Sequence, residues 1–196
     1  IKKYLIEVEQ IAKKINKSDI NKVIERIVRL KKDKGRIFFL GVGGSAGNCS
    51  HAVNDFRKIA HIESYTPVDN ISELTARTND EGWETTFSSW LSVSKIRSKD
   101  LIFIMSVGGG SLEKNVSVNL INAIAFAKKK NCDVVGIVSR DGGYTGIHSF
   151  ATVKIPVISK NTITPHAEAW QAVISHLIVT DPRILLNQNK WETIEK

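Results

Sequence analysis

The chain has 196 residues, 42% of them hydrophobic and 24% charged, with a formal net charge of +8 at neutral pH. That balance excludes a disordered polymer, and no apolar run approaches the roughly 18 residues that a membrane span needs, so no membrane partner is expected. Two cysteines, Cys49 and Cys132, form no CxxC pair and read as buried thiols of a reduced, cytoplasmic protein. The opening Ile1-Lys2-Lys3-Tyr4-Leu5 is charged and helical in pattern, unlike a signal peptide.

In chain order, residues 2–15 and 19–32 read as two amphipathic helices, with Leu5, Val8, Ile11, Ile15 and then Ile20, Val23, Ile24, Ile27 at helical spacing. From residue 34 the pattern changes. Short runs at 36–40, 101–105, 134–138 and about 151–157 are rich in Ile, Val and Phe, as buried parallel strands are. Helical stretches at 46–60, 71–79, 83–96, 112–130 and 164–180 alternate with them. This order predicts an α/β domain, a three-layer sandwich with a central parallel sheet, preceded by the helical pair. For the last helix, Thr164 is the expected N-cap and Pro165 the first helical residue, with Pro182 near its end. The basic clusters Lys31-Lys32-Asp33-Lys34-Gly35-Arg36 and Lys128-Lys129-Lys130 fall where helices end, where cations complement the dipole. No nucleic-acid motif accompanies them, so the positive charge points to a small anionic substrate and not to a nucleic-acid partner.

Two strand ends carry Gly/Ser-rich turns: Gly41-Val42-Gly43-Gly44-Ser45-Ala46-Gly47 and Ser106-Val107-Gly108-Gly109-Gly110-Ser111. Glycine lets backbone approach a ligand, N–H groups at the following helix start favour an anion, and serine adds donors. A dinucleotide turn fits less well, because no acidic residue is placed for the ribose, and no Gly-Lys-Ser/Thr loop occurs. A small phosphate is the better reading. His51 and Asp55 share one helix face just beyond the first turn, either as a surface pair or as part of a site. Glu168 and His176 lie in a largely apolar terminal helix and need partners or a function there. His166 competes with Glu168 for a role at that helix start, and His176 alone would suit a core histidine.

The set Gly41-Val42-Gly43-Gly44-Ser45, Asn79-Asp80, Ser106 to Ser111, Asp141-Gly142-Gly143 and the helix with Glu168 and His176 resembles the sugar-isomerase (SIS) domain, and within it the phosphoheptose isomerases. The resemblance covers nearly the whole chain, and the spacings Ser45–His51–Asp55 and Glu168–His176 follow the family pattern. It implies a flavodoxin-like or Rossmann-like single SIS domain over 1–196, with helices 1–33 for oligomerisation and an α/β core at 34–196. It implies conversion of sedoheptulose 7-phosphate to D-glycero-D-manno-heptose 7-phosphate for lipopolysaccharide or capsule heptose, by a homotetramer. By the same resemblance Gly43, Gly44, Ser45, Ser106, Gly108 and Ser111 hold the sugar phosphate, and Asn79, Asp80 and Glu168 contact the substrate. Asp55 and His176 are the implied catalytic pair, and His51, Asp55, Glu168 and His176 the implied ligands of a divalent metal, zinc first.

This chain departs from the family at several of these positions. The first loop usually reads G-N-G-G-S and the second S-T-S-G-N-S, so Val42, Val107 and Gly108 lack polar side chains found there. Asp55 replaces a glutamate and Glu168 a glutamine. Two carboxylates and two imidazoles would suit zinc, iron or manganese. Eight helical residues rise about 12 Å, so Glu168 and His176 do not easily reach one ion from one regular helix. Convergence of long side chains, an outer position for one of them, or ligands from two subunits each remain open, and a site near a subunit interface is expected. The implied chemistry is removal of a proton beside the carbonyl by Asp55 to give a cis-enediol, with His176 serving the oxygen. Two other readings stand beside it: an SIS enzyme for another sugar phosphate, and a non-catalytic SIS module that binds a sugar phosphate or a protein.

Overall fold

The computed structural model describes residues 1–194, so the last two residues of the expected domain lie outside it. Two helices lead, α1 (Lys2–Lys14) and α2 (Lys17–Lys32). Asn16 separates them and caps α2, its side chain accepting the Ser18 N–H at 2.9 Å. Five strands follow: β1 (Ile37–Leu40), β2 (Ser64–Tyr65), β3 (Leu101–Met105), β4 (Asp133–Ser139) and β5 (Ala151–Ile155). The helices between and after them are α3 (Gly44–Lys58), α4 (Ile71–Glu81), α5 (Thr86–Val93), α6 (Val118–Lys129), α7 (Gly143–His148), α8 (Ile163–Val179) and α9 (Lys190–Thr193). No helix among the described residues is long and apolar enough to cross a membrane.

All strand pairs are parallel, in the order β2-β1-β3-β4-β5. Strand direction alternates side chains between two faces, and the core divides accordingly. Ile37, Phe39, Leu101, Phe103 and Met105 pack with residues of α2, α3 and α8 on one face. Phe38, Leu40, Ile102 and Ile104 pack with Phe87 and Leu91 of α5 and with Leu120, Ile124 and Ala127 of α6 on the other. The result is the expected three-layer α/β sandwich. Each fully buried Leu, Ile or Phe contributes about 1.5–3 kcal/mol relative to leaving it in water.

Several boundaries differ from expectation for local reasons. Strand β2 was not anticipated, because two residues are too short to show a period. Residues 112–117, expected to be helical, instead form a narrow loop in which Ser111 and Val116 exchange backbone hydrogen bonds at 2.9 and 3.0 Å. Left-handed backbone at Asn115 and Ser117 keeps a helix from starting before Val118. Helix α8 starts at Ile163, so Thr164 is not its cap. The residue at the cap, Thr162, spends its hydroxyl on Glu7 of α1 at 2.7 Å. Pro165 is tolerated at the third position, because N–H groups of the first turn have no intrahelical acceptor to lose.

The sheet order reverses direction between β1 and β3. In such sheets the crevice for a ligand opens above the carboxyl ends of the two strands flanking that reversal. The two Gly/Ser turns follow β1 and β3, so the fold puts them side by side.

Candidate active site

Helices α3 and α8 pack against each other on one face of the sheet, and α3 starts at the turn after β1. The Asn48 amide ties them, donating to the Glu168 carbonyl at 2.8 Å and to Gln171 Oε1 at 3.1 Å. One turn further along α3 come His51 and then Asp55, and α8 brings His176 to meet them. His51 Nε2 and His176 Nε2 are 3.0 Å apart, and they stand 3.2 and 3.3 Å from Asp55 Oδ2. Asp55 is buried, with Oδ1 accepting from the Asn54 amide at 3.0 Å, while both imidazoles are about half exposed.

Three donor atoms at these separations fit a metal ion. Bonds of about 2.0–2.1 Å in a tetrahedral site put neighbouring ligand atoms about 3.3 Å apart, close to all three distances. Two imidazole nitrogens and one carboxylate oxygen suit zinc and neighbouring divalent ions. The exposed side of the imidazoles leaves an approach for a substrate.

Glu168 lies elsewhere. Its carboxylate packs on Gly44 at the start of α3, so close that a Cβ on residue 44 would stand 2.5 Å from Glu168 Cδ. A Cβ at 44 would push this carboxylate aside. Among the described residues the cluster that converges is His51, Asp55 and His176. The rise along α8 between Glu168 and His176 keeps the two apart.

In the second loop, Ser106 is buried and its Oγ accepts the Gly109 N–H at 3.0 Å. Ser111 Oγ accepts the Lys114 N–H at 3.2 Å. The loop is held against the turn after β4: Ser139 N–H donates to Val107 O at 3.0 Å, Tyr144 N–H to Gly110 O and Thr145 N–H to Gly109 O at 2.9 Å each. Gly109 has φ of 72°, and a Cβ there would collide with the Gly142 carbonyl. Gly108 and Ser111 line a cavity of about 310 Å³. On the first loop, Ser45 is buried and Gly43 turns through φ of 63° into α3.

Asn79 and Asp80 are exposed on α4, an outer helix with no buried residue, and the Asn79 amide donates to Asp80 Oδ1 at 2.7 Å. Asp80 is not among the three residues that converge. His166, the competing candidate, is buried and pairs with Glu7 at 2.8 Å. Sequence reasoning passed over Asn48 and Gln171, which lock α3 to α8, and Arg140, which follows β4. The strand-end position of Arg140, directly before Asp141-Gly142-Gly143, was the available signal.

The SIS domain family profile matches residues 3–139. Lincomycin biosynthesis protein LmbN of Streptomyces lincolnensis is 29% identical over 154 residues, 74% of this chain but 54% of that protein, so the chain spans about half of LmbN. The phosphoheptose isomerase of Aliarcobacter butzleri is 28% identical over 186 residues, covering 91% of this chain and 92% of that one. Among solved structures, phosphoheptose isomerase GmhA from Neisseria gonorrhoeae superposes with a TM-score of 0.75 at 22% identity, over 88% of this chain and 89% of that one.

Proposed function

This chain belongs to the SIS-domain family, and from that premise we propose that it is an aldose–ketose isomerase of the phosphoheptose isomerase type. The reaction is the interconversion of sedoheptulose 7-phosphate and D-glycero-D-manno-heptose 7-phosphate. The likeness to phosphoheptose isomerases over nine-tenths of the chain supports the substrate class. The observation that carries the catalytic reading is the convergence of His51, Asp55 and His176 at 3.0–3.3 Å in the α3–α8 seam.

In this reading the open-chain sugar lies in the crevice with its phosphate near the Gly/Ser loops and its carbonyl at the cluster. Asp55 takes the proton from the carbon beside the carbonyl, and His176 exchanges a proton with the adjacent oxygen, so that an enediol forms and collapses to the other isomer. Its buried position keeps the Asp55 carboxylate from drifting, and the Asn54 amide fixes its rotation. His51, Asp55 and His176 would also be the residues to hold a divalent cation, zinc first, which would supply polarisation of the carbonyl. An Asp55 bound tightly to that ion is a ligand and not the free base, and the proton then passes to Glu168 or His176. Glu168, between loop and cluster, meets the substrate's hydroxyls, and Asn79 and Asp80 reach a sugar only from another copy of the chain. That last point goes with a homotetramer in which residues 1–33 serve assembly.

The test is incubation with sedoheptulose 7-phosphate in deuterated water. Aldose phosphate carrying solvent deuterium beside the carbonyl is expected, and Asp55→Asn should reduce its formation at least a hundredfold. Undiminished exchange in Asp55→Asn would remove the base assignment and leave that residue a purely holding role. A second reading, a non-catalytic sugar-phosphate binder, predicts saturable binding with no isotope exchange at all.

A further inference from the structure

The phosphate end of the site poses a problem that the two loops alone do not solve. At the first loop, Glu168 already places a carboxylate on Gly44 at the opening of α3, where a dianionic phosphate would meet a like charge. At the second loop Ser106 and Ser111 accept from the loop's own N–H groups and keep one O–H each to donate, while Val107 and Gly108 have no side-chain donor. The loop thus offers neutral donors but no positive charge to balance a dianion.

Charge is available next to that loop. The second loop is flanked by two cavities, of about 310 and 240 Å³, and Arg140 is the residue that lines both. In the larger one Arg140 and Lys114 are balanced by Glu113 and Asp141. The smaller one, lined by Val107, Asn161 and Thr164, contains Arg140 and Lys160 and no acidic residue. Neither cation has an ion-pair partner among the described residues. Arg140 is also tethered to the loop, because the preceding Ser139 N–H donates to Val107 O at 3.0 Å. A guanidinium matches two phosphate oxygens with parallel hydrogen bonds, which a hydroxyl does not.

We propose that Arg140, assisted by Lys160, receives the terminal phosphate of the sugar in the smaller cavity, replacing the hydroxyls absent at Val107 and Gly108. The assignment rests on the sugar-phosphate reading above. The smaller cavity and the cluster lie at opposite ends of α8. Thr164 at the cavity and His176 at the cluster are twelve residues apart on α8, a rise of about 18 Å.

The experiment measures KM for sedoheptulose 7-phosphate and the inhibition constant of inorganic phosphate for wild type, Arg140→Gln and Arg140→Lys. Loss of a charged hydrogen-bonding partner should raise both constants together by about ten- to a hundredfold in Arg140→Gln, more than any fall in kcat, with partial recovery in Arg140→Lys. Arg140 is exposed, so the variant keeps the fold, and its melting curve checks this. Unchanged phosphate inhibition in Arg140→Gln, with wild type inhibited, would overturn the assignment and leave the isomerase reading standing. So would a loss confined to kcat. A wild-type protein that neither turns over nor binds phosphate would overturn both.

Discussion

Asp55 has to serve two imidazoles with one short carboxylate. Its Oδ2 faces both histidines while Oδ1 is engaged by Asn54, so both oxygens are held. Removing either imidazole breaks the trio, and His51→Ala and His176→Ala should each lower bound divalent metal from near one per chain to a small fraction, read by elemental analysis of the purified protein. Full occupancy in both variants would mean that the metal lies elsewhere. The thiols make the opposite kind of prediction. Burial pushes the Cys132 thiol up to about 12 and raises Cys49 further, so neither supplies thiolate near neutrality. Native protein should therefore resist a thiol reagent at pH 8 for hours, with both sites reacting on unfolding. His51 and Asp55 were legible as a pair from their helical spacing, whereas His176 joined them only through the family resemblance. The separation of Glu168 from that group was legible only as a difficulty of reach, which its contact with Gly44 resolves.

At the scale of elements, the informative contact joins α1 to α8. Glu7 accepts from Thr162 Oγ1 at 2.7 Å and pairs with His166 at 2.8 Å, while Tyr4 stacks on the His166 ring with centroids 4.2 Å apart. These hydrogen bonds, first from Thr162 and then from His166, hold the Glu7 carboxyl below its ordinary value of 4.5. A lowered carboxylate contributes stability that is complete above the unfolded value and fades as pH falls through the folded one. Glu7→Gln should thus lower the melting temperature at pH 7, and the gap from wild type should shrink as the pH falls below about 4.5. Equal gaps at pH 7 and pH 3 would show that the carboxylate's charge is immaterial. None of this was readable from the chain. Glu7 looks like any solvent-facing charge of an amphipathic helix, and its partners lie more than 150 residues away. The same contact explains the misplaced cap, because Thr162 is drawn out of helix capping by a partner that the local sequence does not contain.

For the whole molecule, the exposed surface is the guide to assembly. Leu5 and Ile6 of α1 and Val173 and Leu177 of α8 are exposed, and the last two flank His176. Apolar side chains around a half-exposed catalytic candidate suit a face covered by another copy. Light scattering on the full chain should give a tetramer, and Val173→Glu with Leu177→Glu should shift it to smaller species and lower activity with it. A monomer with full isomerase activity would refute the shared-site reading.

The chain's own periodicity determined the alternation of strands and helices and hence the layered α/β class, since each strand and helix shows its buried face in its spacing. It determined the two Gly/Ser turns as well, because only certain residues permit that backbone. Strand order was not determined in this way, since parallel partners are chosen by non-local packing across the crossover helices. The reversal between β1 and β3 is what sets the two turns side by side. Tertiary structure alone decided that Arg140 stands beside the second loop and that His176 meets His51 and Asp55. Those meetings join residues far apart in the chain, and local spacing encodes a face but not which distant face will cover it.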